Sequence, residues 1–349
     1  MKRELEVVPN GVVDREGRPR FGTYQGELPG VGLENLRGEY APAPWQWLVR
    51  RKRWNYAVLV TEEVILCQAV VDGRYFGNGF VYAVDLYEEK AVLVGSTVAL
   101  PDLQVKVNDR AGRGHRAQVQ APGLFFSTKR EECGHQYRWE SRLHPLLSLM
   151  PGGVSVEAEM ETRGGAPALT VISPVEGGIV NVTQKWAGLA TKGRARIGTR
   201  SYDLEGGVAG LDYTQGILGR QTRWRWAMAL GRLVDGRRVG INLVAGFNDD
   251  HPDANENALW IGDRLISLDR AEFVFDRKAP EKAWEVRTGD GSVDLSFTPY
   301  YIHREMRNLG VIKSFFLQPA GRFEGVIRLD GQTHPVVLHG VMEDQDVRW

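Results

Sequence analysis

Residues 210–248 read GLDYTQGILGRQTRWRWAMALGRLVDGRRVGINLVAGFN. Asp235-Gly236 sits between two alternating runs, the strongest short-range signal for a β-hairpin. With those two residues as the loop, Leu230 is expected opposite Ile241, Met228 opposite Leu243, Trp226 opposite Ala245 and Trp224 opposite Phe247. The other face then pairs Ala229 with Asn242, Ala227 with Val244, Arg225 with Gly246 and Arg223 with Asn248. One face is heavy and apolar. The other is small, with arginines and asparagines at intervals, where a plain surface hairpin would carry bulky polar side chains. Small residues beside Arg and Asn leave room for a ligand or for another sheet. A well-buried hairpin with no further role is the competing reading.

Outward from the hairpin the chain repeats the same grammar. Before it come WNYAVLVT (54–61), YFGNGFVYAVDLY (75–87), VSVEAEMET (154–162) and IVNVTQKWAG (179–188). After it come ALWIG (258–262), SVDLSFTPYYIHRE (292–305) and HPVVLHGVM (334–342), with turns at Gly262-Asp263, Asp290-Gly291 and Asp330-Gly331. Many short strands joined by Gly-containing turns, with no long helical period, indicate an antiparallel barrel or sandwich. LHPLLSLM (143–150) is the one helical candidate, and Pro145 limits it to a turn or two. Each half holds roughly ten strand candidates, enough for a barrel of about eight strands, the size that encloses one small ligand. The expected division is 1–200 and 201–349, with a single folded-over sheet as the alternative.

The totals narrow the classes. Lys+Arg and Asp+Glu are both 44 in 349 residues, so nothing global points to nucleic acid or an anionic surface. The basic cluster Arg50–Arg53 leads straight into a strand and reads as a few specific ion pairs, with Lys52–Tyr56 a possible aromatic-basic lining. Cys67 and Cys133 are too far apart for a metal or redox motif. No apolar segment follows the basic N-terminus and no run of about 18 apolar residues exists, so neither a signal peptide nor a transmembrane helix is expected. A reducing cytoplasm is the expected location, and the oligomeric state is left open.

No nucleophile elbow, phosphate loop, zinc-protease helix or dinucleotide fingerprint is present, and no cofactor is expected. His251, Asp253 and Glu256 in DDHPDANEN have metal-ligand chemistry, but a polar loop yields the same composition, and no metal is assigned. Glu256 and Asn257 precede a strand, where they either reach a barrel mouth or anchor a turn. Asp212, in an apolar, Gly-rich approach, is a candidate acid or base, or else one half of a buried pair with Arg220, Arg223 or Arg225. Glu343 is a second carboxylate candidate at a strand end. His303 and His339 read as ordinary strand histidines, and Trp349 as a docked C-terminus.

Taken together these residues have a familiar order. Arg53-Trp54-Asn55-Tyr56 is followed by Gly210-Leu211-Asp212-Tyr213-Thr214-Gln215-Gly216, then Arg220-Gln221-Thr222-Arg223-Trp224-Arg225-Trp226-Ala227. Gly240-Ile241-Asn242-Leu243-Val244-Ala245-Gly246, Glu256-Asn257-Ala258-Leu259-Trp260, Asp294–Pro299, Gly321–Gly325 and Gly340-x-x-Glu343-Asp344 complete it. This resembles the bacterial family called domain of unknown function 2804 over nearly the whole chain. More distantly it is similar to the carotenoid hydratase/AttH-like group, which is built from two lipocalin-like barrels and includes enzymes acting on isoprenoid or polyketide-like substrates. The resemblance implies an all-β fold of two lipocalin-like, calycin-type antiparallel barrels packed together. The distant group commonly has an acid between its two tryptophans. Arg225 stands there in this chain, which favours an anionic head group.

Two functions from different classes follow. The first is binding of a hydrophobic or amphipathic small molecule such as a lipid or isoprenoid, an anionic one included. Arg220, Arg223 or Arg225 would hold its head group. Trp224, Trp226 and Trp260 would supply apolar contact, Asn242 and Glu256 would orient polar atoms, and Tyr213, Thr214 and Asn257 would lie nearby. The second is a cofactor-free isomerase, hydratase or cyclase with Asp212 and Glu343 or Glu256 as acid and base, which requires carboxyl groups with separated pKa values facing one cavity. A purely structural or partner-binding role would follow if no cavity lay between the barrels.

Overall fold

The computed structural model describes residues 5–247, 249–308 and 313–349, with the side chain of Arg307 outside that description. Among them the chain is almost entirely antiparallel β, folded as two curled, barrel-like sheets of lipocalin type. The first sheet has 15 strands. Its main path runs Lys90–Ala99, Gly77–Asp85, Val64–Asp72, Arg51–Val60, Val208–Ile217, Val180–Ile197, Val154–Glu161, Gln136–Leu143, Leu124–Lys129, Arg116–Ala121, Val105–Val107. An isolated bridge from Pro101 to Val105 brings the two ends of that path together. The second sheet has nine strands, and at its centre Arg238–Ala245, Gln221–Arg232, Gln332–Arg348, Lys313–Leu329 and Val293–Asn308 lie side by side. Val208–Ile217, which the sequence reading places in the second half, hydrogen-bonds into the first sheet, so the chain changes sheets between Ile217 and Gln221.

Three apolar clusters follow from the alternation of side chains along these strands. One face of the first sheet fills its own barrel with residues such as Val182, Trp186, Leu211 and Tyr213. One face of the second does the same with Ala227, Ala229, Ile241 and Leu243. The remaining faces meet each other through Tyr56, Val58, Trp226, Met228 and Trp260. The sheets touch most closely at glycine: a Cβ on Gly240 would lie 2.3 Å from the Ala187 Cβ and 2.7 Å from the Gly188 nitrogen. The helix expected within 143–150 is present as Pro145–Ser148. No helix among the described residues is long and apolar enough to cross a membrane.

The hairpin is present, but its register differs by one residue from the expected one. Arg225 pairs with Ala245, Ala227 with Leu243, Met228 with Asn242 and Ala229 with Ile241. The loop is three residues, not two. The Leu233 and Gly236 amides donate to the carbonyls of Arg237 and Leu233, at 2.9 Å each. Gly236 takes φ +86°. This is a type I turn closed by a left-handed glycine, the usual three-residue hairpin. The extra loop residue changes which partners share a face. Asn242 joins Trp226 and Met228 on the inter-sheet side, and Ile241 and Leu243 join the small alanines inside the second barrel. The alanine face packs into the second sheet's own core with Trp284, Phe297 and Phe323, as the well-buried hairpin reading holds, and the first sheet meets the opposite, tryptophan-bearing face. The expected partner of Arg223, Asn248, lies outside the described residues.

Candidate functional site

Alternation aims a polar ladder of the first sheet at the second. On Val180–Ile197, Val180, Val182 and Trp186 face the barrel core, which leaves Asn181, Thr183 and Lys185 on the opposite face. On Val208–Ile217 the same logic exposes Asp212 and Thr214 to that side. The register sets Lys185 opposite Asp212 and Thr183 opposite Thr214. Tyr56 and Trp54 stand next in line on Arg51–Val60.

Asn181, Lys185, Asp212, Thr214, Tyr56 and Trp54 form one wall of a cavity of about 330 Å³ between the sheets. That is the size of a small-molecule pocket. The second sheet supplies Trp224, Trp226, Phe316, Gln318 and Glu343. Aromatic rings dominate. Trp54 and Trp224, one from each sheet, stack with centroids 5.8 Å apart at 12°. Phe76 stacks on Trp349 at 6.0 Å, and Tyr56 meets Trp226 edge-on at 5.1 Å.

Two buried polar groups interrupt the apolar wall. The first is a triad. Lys185 Nζ lies 2.8 Å from Asp212 Oδ2 and 3.1 Å from Glu256 Oε2. Asp212 Oδ1 also accepts from the hydroxyls of Thr183 (3.2 Å) and Thr214 (3.1 Å). Burial lowers the affinity of Lys185 for its proton, but the two carboxylates outweigh burial and hold it above the usual lysine range. Burial pushes the Glu256 carboxyl up, with Lys185 opposing and Asp212 reinforcing the rise.

The second group centres on Glu343. Its Oε1 accepts from Trp224 Nε1 at 2.6 Å and its Oε2 from Gln318 Nε2 at 2.7 Å. Gln318 Oε1 in turn accepts from the hydroxyls of Tyr56 (3.0 Å) and Tyr82 (2.7 Å). Burial pushes the Glu343 carboxyl up to about 7; the two donors and distant Lys185 pull it down, and the Asp212 charge adds to the rise. Asn242 links Trp226 to the loop that carries Glu256, both on the second sheet's side of the cavity. It accepts from Trp226 Nε1 at 2.7 Å and donates to the Glu256 carbonyl at 2.8 Å.

Asp212, Glu256 and Glu343, the three carboxylates singled out from sequence, therefore share one cavity. Thr214, Trp224 and Trp226 line it as well. The arginines do not. Arg223 is 67% exposed and paired with Asp346 at 2.9 Å; Arg225 is 48% exposed, 4.0 Å from Asp344. Arg220 is exposed, and its carbonyl accepts from the Trp349 amide. The buried partner of Asp212 is thus Lys185 and none of these arginines. Tyr213 faces the first barrel and donates to Asn108 O. Asn257 secures its loop through the Val244 amide and Asn255, the turn-anchor reading. Trp260 packs between the sheets and donates to Pro167 O, outside the cavity lining. His251 and Asp253 are exposed, and no cluster of three metal-ligating side chains occurs among the described residues.

Of the proposed aromatic-basic lining, Trp54 and Tyr56 reach the cavity, whereas Lys52 donates to the carbonyls of Val49 and Gly73 and Arg53 pairs with Asp72. Lys185 and Gln318 were not read from sequence. The available signal for Lys185 was a lone ammonium inside IVNVTQKWAG, a run otherwise fit for burial. Trp349 is docked as expected, its Nε1 donating to Thr222 Oγ1 at 2.8 Å.

Comparisons with known proteins agree with this architecture. A model of the family described as "Domain of unknown function (DUF2804)" matches residues 2–349. Kievitone hydratase from Nectria haematococca is similar in structure, with TM-score 0.51 and 13% identity, over 95% of this chain and 97% of that one. The protein CghA is similar with TM-score 0.52 and 10% identity, over 95% and 98% of the two chains. An AttH-type protein from Nitrosomonas europaea has TM-score 0.49 and 14% identity, over 88% and 97%. At such identities the likeness speaks to fold alone. No curated protein matches the chain by sequence.

Proposed function

We propose that this chain, which belongs to the DUF2804 family, binds a largely apolar small molecule between its two sheets and hydrogen-bonds an oxygen of that molecule to Glu343. The observation that carries this reading is a buried carboxyl group facing an aromatic cavity. Among the described residues both hydrogen bonds of Glu343 are accepted ones, from Trp224 and Gln318. In its protonated form the acid has an O–H to spare, and the cavity is the space open to it. A buried donor without an acceptor costs about 1–3 kcal/mol, which an oxygen on the ligand would relieve. Native mass spectrometry of gently purified protein, with thermal-shift titration of isoprenoid and aromatic alcohols, tests it. The reading expects a co-purified mass or a saturable shift. Neither, with the protein folded, would refute it.

A second reading, acid–base catalysis without a cofactor, has its own support. Glu343 and Asp212 occupy contrasting environments in one cavity: the first receives two neutral N–H donors, the second an ammonium and two hydroxyls. Groups so separated suit proton delivery at one point and proton acceptance at another, as isomerisation, hydration or cyclisation requires. In D2O, a bound molecule would gain deuterium on carbon with the native protein and not with Glu343→Gln. Absence of exchange in the native protein, with binding intact, would leave binding as the whole function.

A further inference from the structure

Charge around the cavity is unequally divided. Among the described residues its wall carries four carboxyl groups, Asp212, Glu256, Glu305 and Glu343, and one ammonium, Lys185. An ammonium has three N–H donors. Two of those on Lys185 serve Asp212 at 2.8 Å and Glu256 at 3.1 Å, and its charge also lies 5.7 Å from the centre of the Trp226 ring. The arginines that an anionic head group would need are turned outward, two of them to Asp344 and Asp346. A carboxylate entering this space would lose its hydration, meet buried acids, and find the lysine already shared between two of them. An uncharged oxygen meets none of these penalties. The walls add a shape preference, since aromatic rings from both sheets line the cavity and pack well against flat rings.

We infer that the cavity takes an uncharged, flat, unsaturated or aromatic molecule whose polar group is a hydroxyl or carbonyl, and that it excludes the carboxylate of the same skeleton. This rests on the ligand-binding reading above and names its substrate class. Fatty acids and other free acids are then not ligands, whereas alcohols, ketones and esters are.

The test uses the full chain and four matched probes: 1-pyrenemethanol, 1-pyrenecarboxaldehyde, 1-pyrenecarboxylic acid and the methyl ester of that acid. Each is titrated at pH 6, where Glu343 keeps its proton and the free acid probe is ionised, and followed by energy transfer from tryptophan. The ester controls for size, because it keeps the acid's skeleton, adds a methyl group and carries no charge. The alcohol, aldehyde and ester are expected to bind saturably, and the acid at least about tenfold more weakly than its ester, a difference of about 1.4 kcal/mol. An acid that binds as tightly as its ester overturns the inference and leaves the ligand-binding reading standing. Failure of all four to bind overturns both.

Discussion

Glu343 combines a protonatable carboxyl with two fixed N–H donors, and its pH behaviour follows from burial. Its ordinary value near 4.5 rises to about 7 in the folded chain. A carboxyl raised in this way stabilises the fold in full below the ordinary value, and the contribution is lost as pH climbs toward 7. The rise corresponds to about 3 kcal/mol. Glu343→Gln removes the titration, so between pH 4 and pH 8 the native protein should lose about 3 kcal/mol more stability than the variant. Urea unfolding at the two pH values measures this, and parallel profiles would refute the burial argument. At this scale the sequence was partly legible. Asp212 stood out in an apolar approach, Glu256 at the entrance to a strand and Glu343 at a strand end, and all three line the cavity. Lys185 did not, because its partners sit 27 and 71 residues away and no local pattern joins them. The arginines were conspicuous in sequence for the opposite reason: alternation beside Trp224 and Trp226 carries Arg223 and Arg225 to the exposed side.

At the scale of elements, the Asp235-Gly236 signal located the hairpin and misjudged its loop by one residue. Asp-Gly serves a two-residue loop and the end of a three-residue loop alike, and the choice depends on the sheets against which the hairpin packs. Those contacts make a prediction at two glycines. Gly236 has φ +86° and nothing within 4 Å of an added Cβ, so Gly236→Asn, a residue tolerant of that conformation, should cost under about 1 kcal/mol. Gly240 has ordinary φ, but an added side chain would strike Ala187 and the Gly188 backbone. Gly240→Val should cost at least about 2 kcal/mol, because backbone cannot move aside as a flexible side chain can. Thermal unfolding of the two variants checks the contrast. Equal losses would show that the sheets do not meet as described.

Across the whole molecule, two barrels were foreseeable from strand count and turns, but the point of exchange between sheets was not. Val208–Ile217 reads like the start of a new set of strands, yet it is held between Val180–Ile197 and Arg51–Val60, a pairing made over long separations. The apolar layer between the sheets contains Cys67, buried beside the Tyr56 and Tyr82 hydroxyls, and burial pushes its thiol up to about 12. Cys133 is exposed. One thiol should therefore react quickly with Ellman's reagent in the folded protein, and the second only as the sheets separate or unfold. Two equally fast thiols would contradict a closed layer. The function of the molecule turns on whether the space between the sheets holds a ligand. Val71 lines that space and is partly exposed, so Val71→Trp can narrow it at modest risk to the fold. Titration of native and Val71→Trp proteins with 1-pyrenemethanol, followed by tryptophan energy transfer, is the direct measurement. The account predicts saturable one-to-one binding to the native protein and at least about tenfold weaker binding to the folded variant; equal binding by both, or none by the native protein, would contradict it.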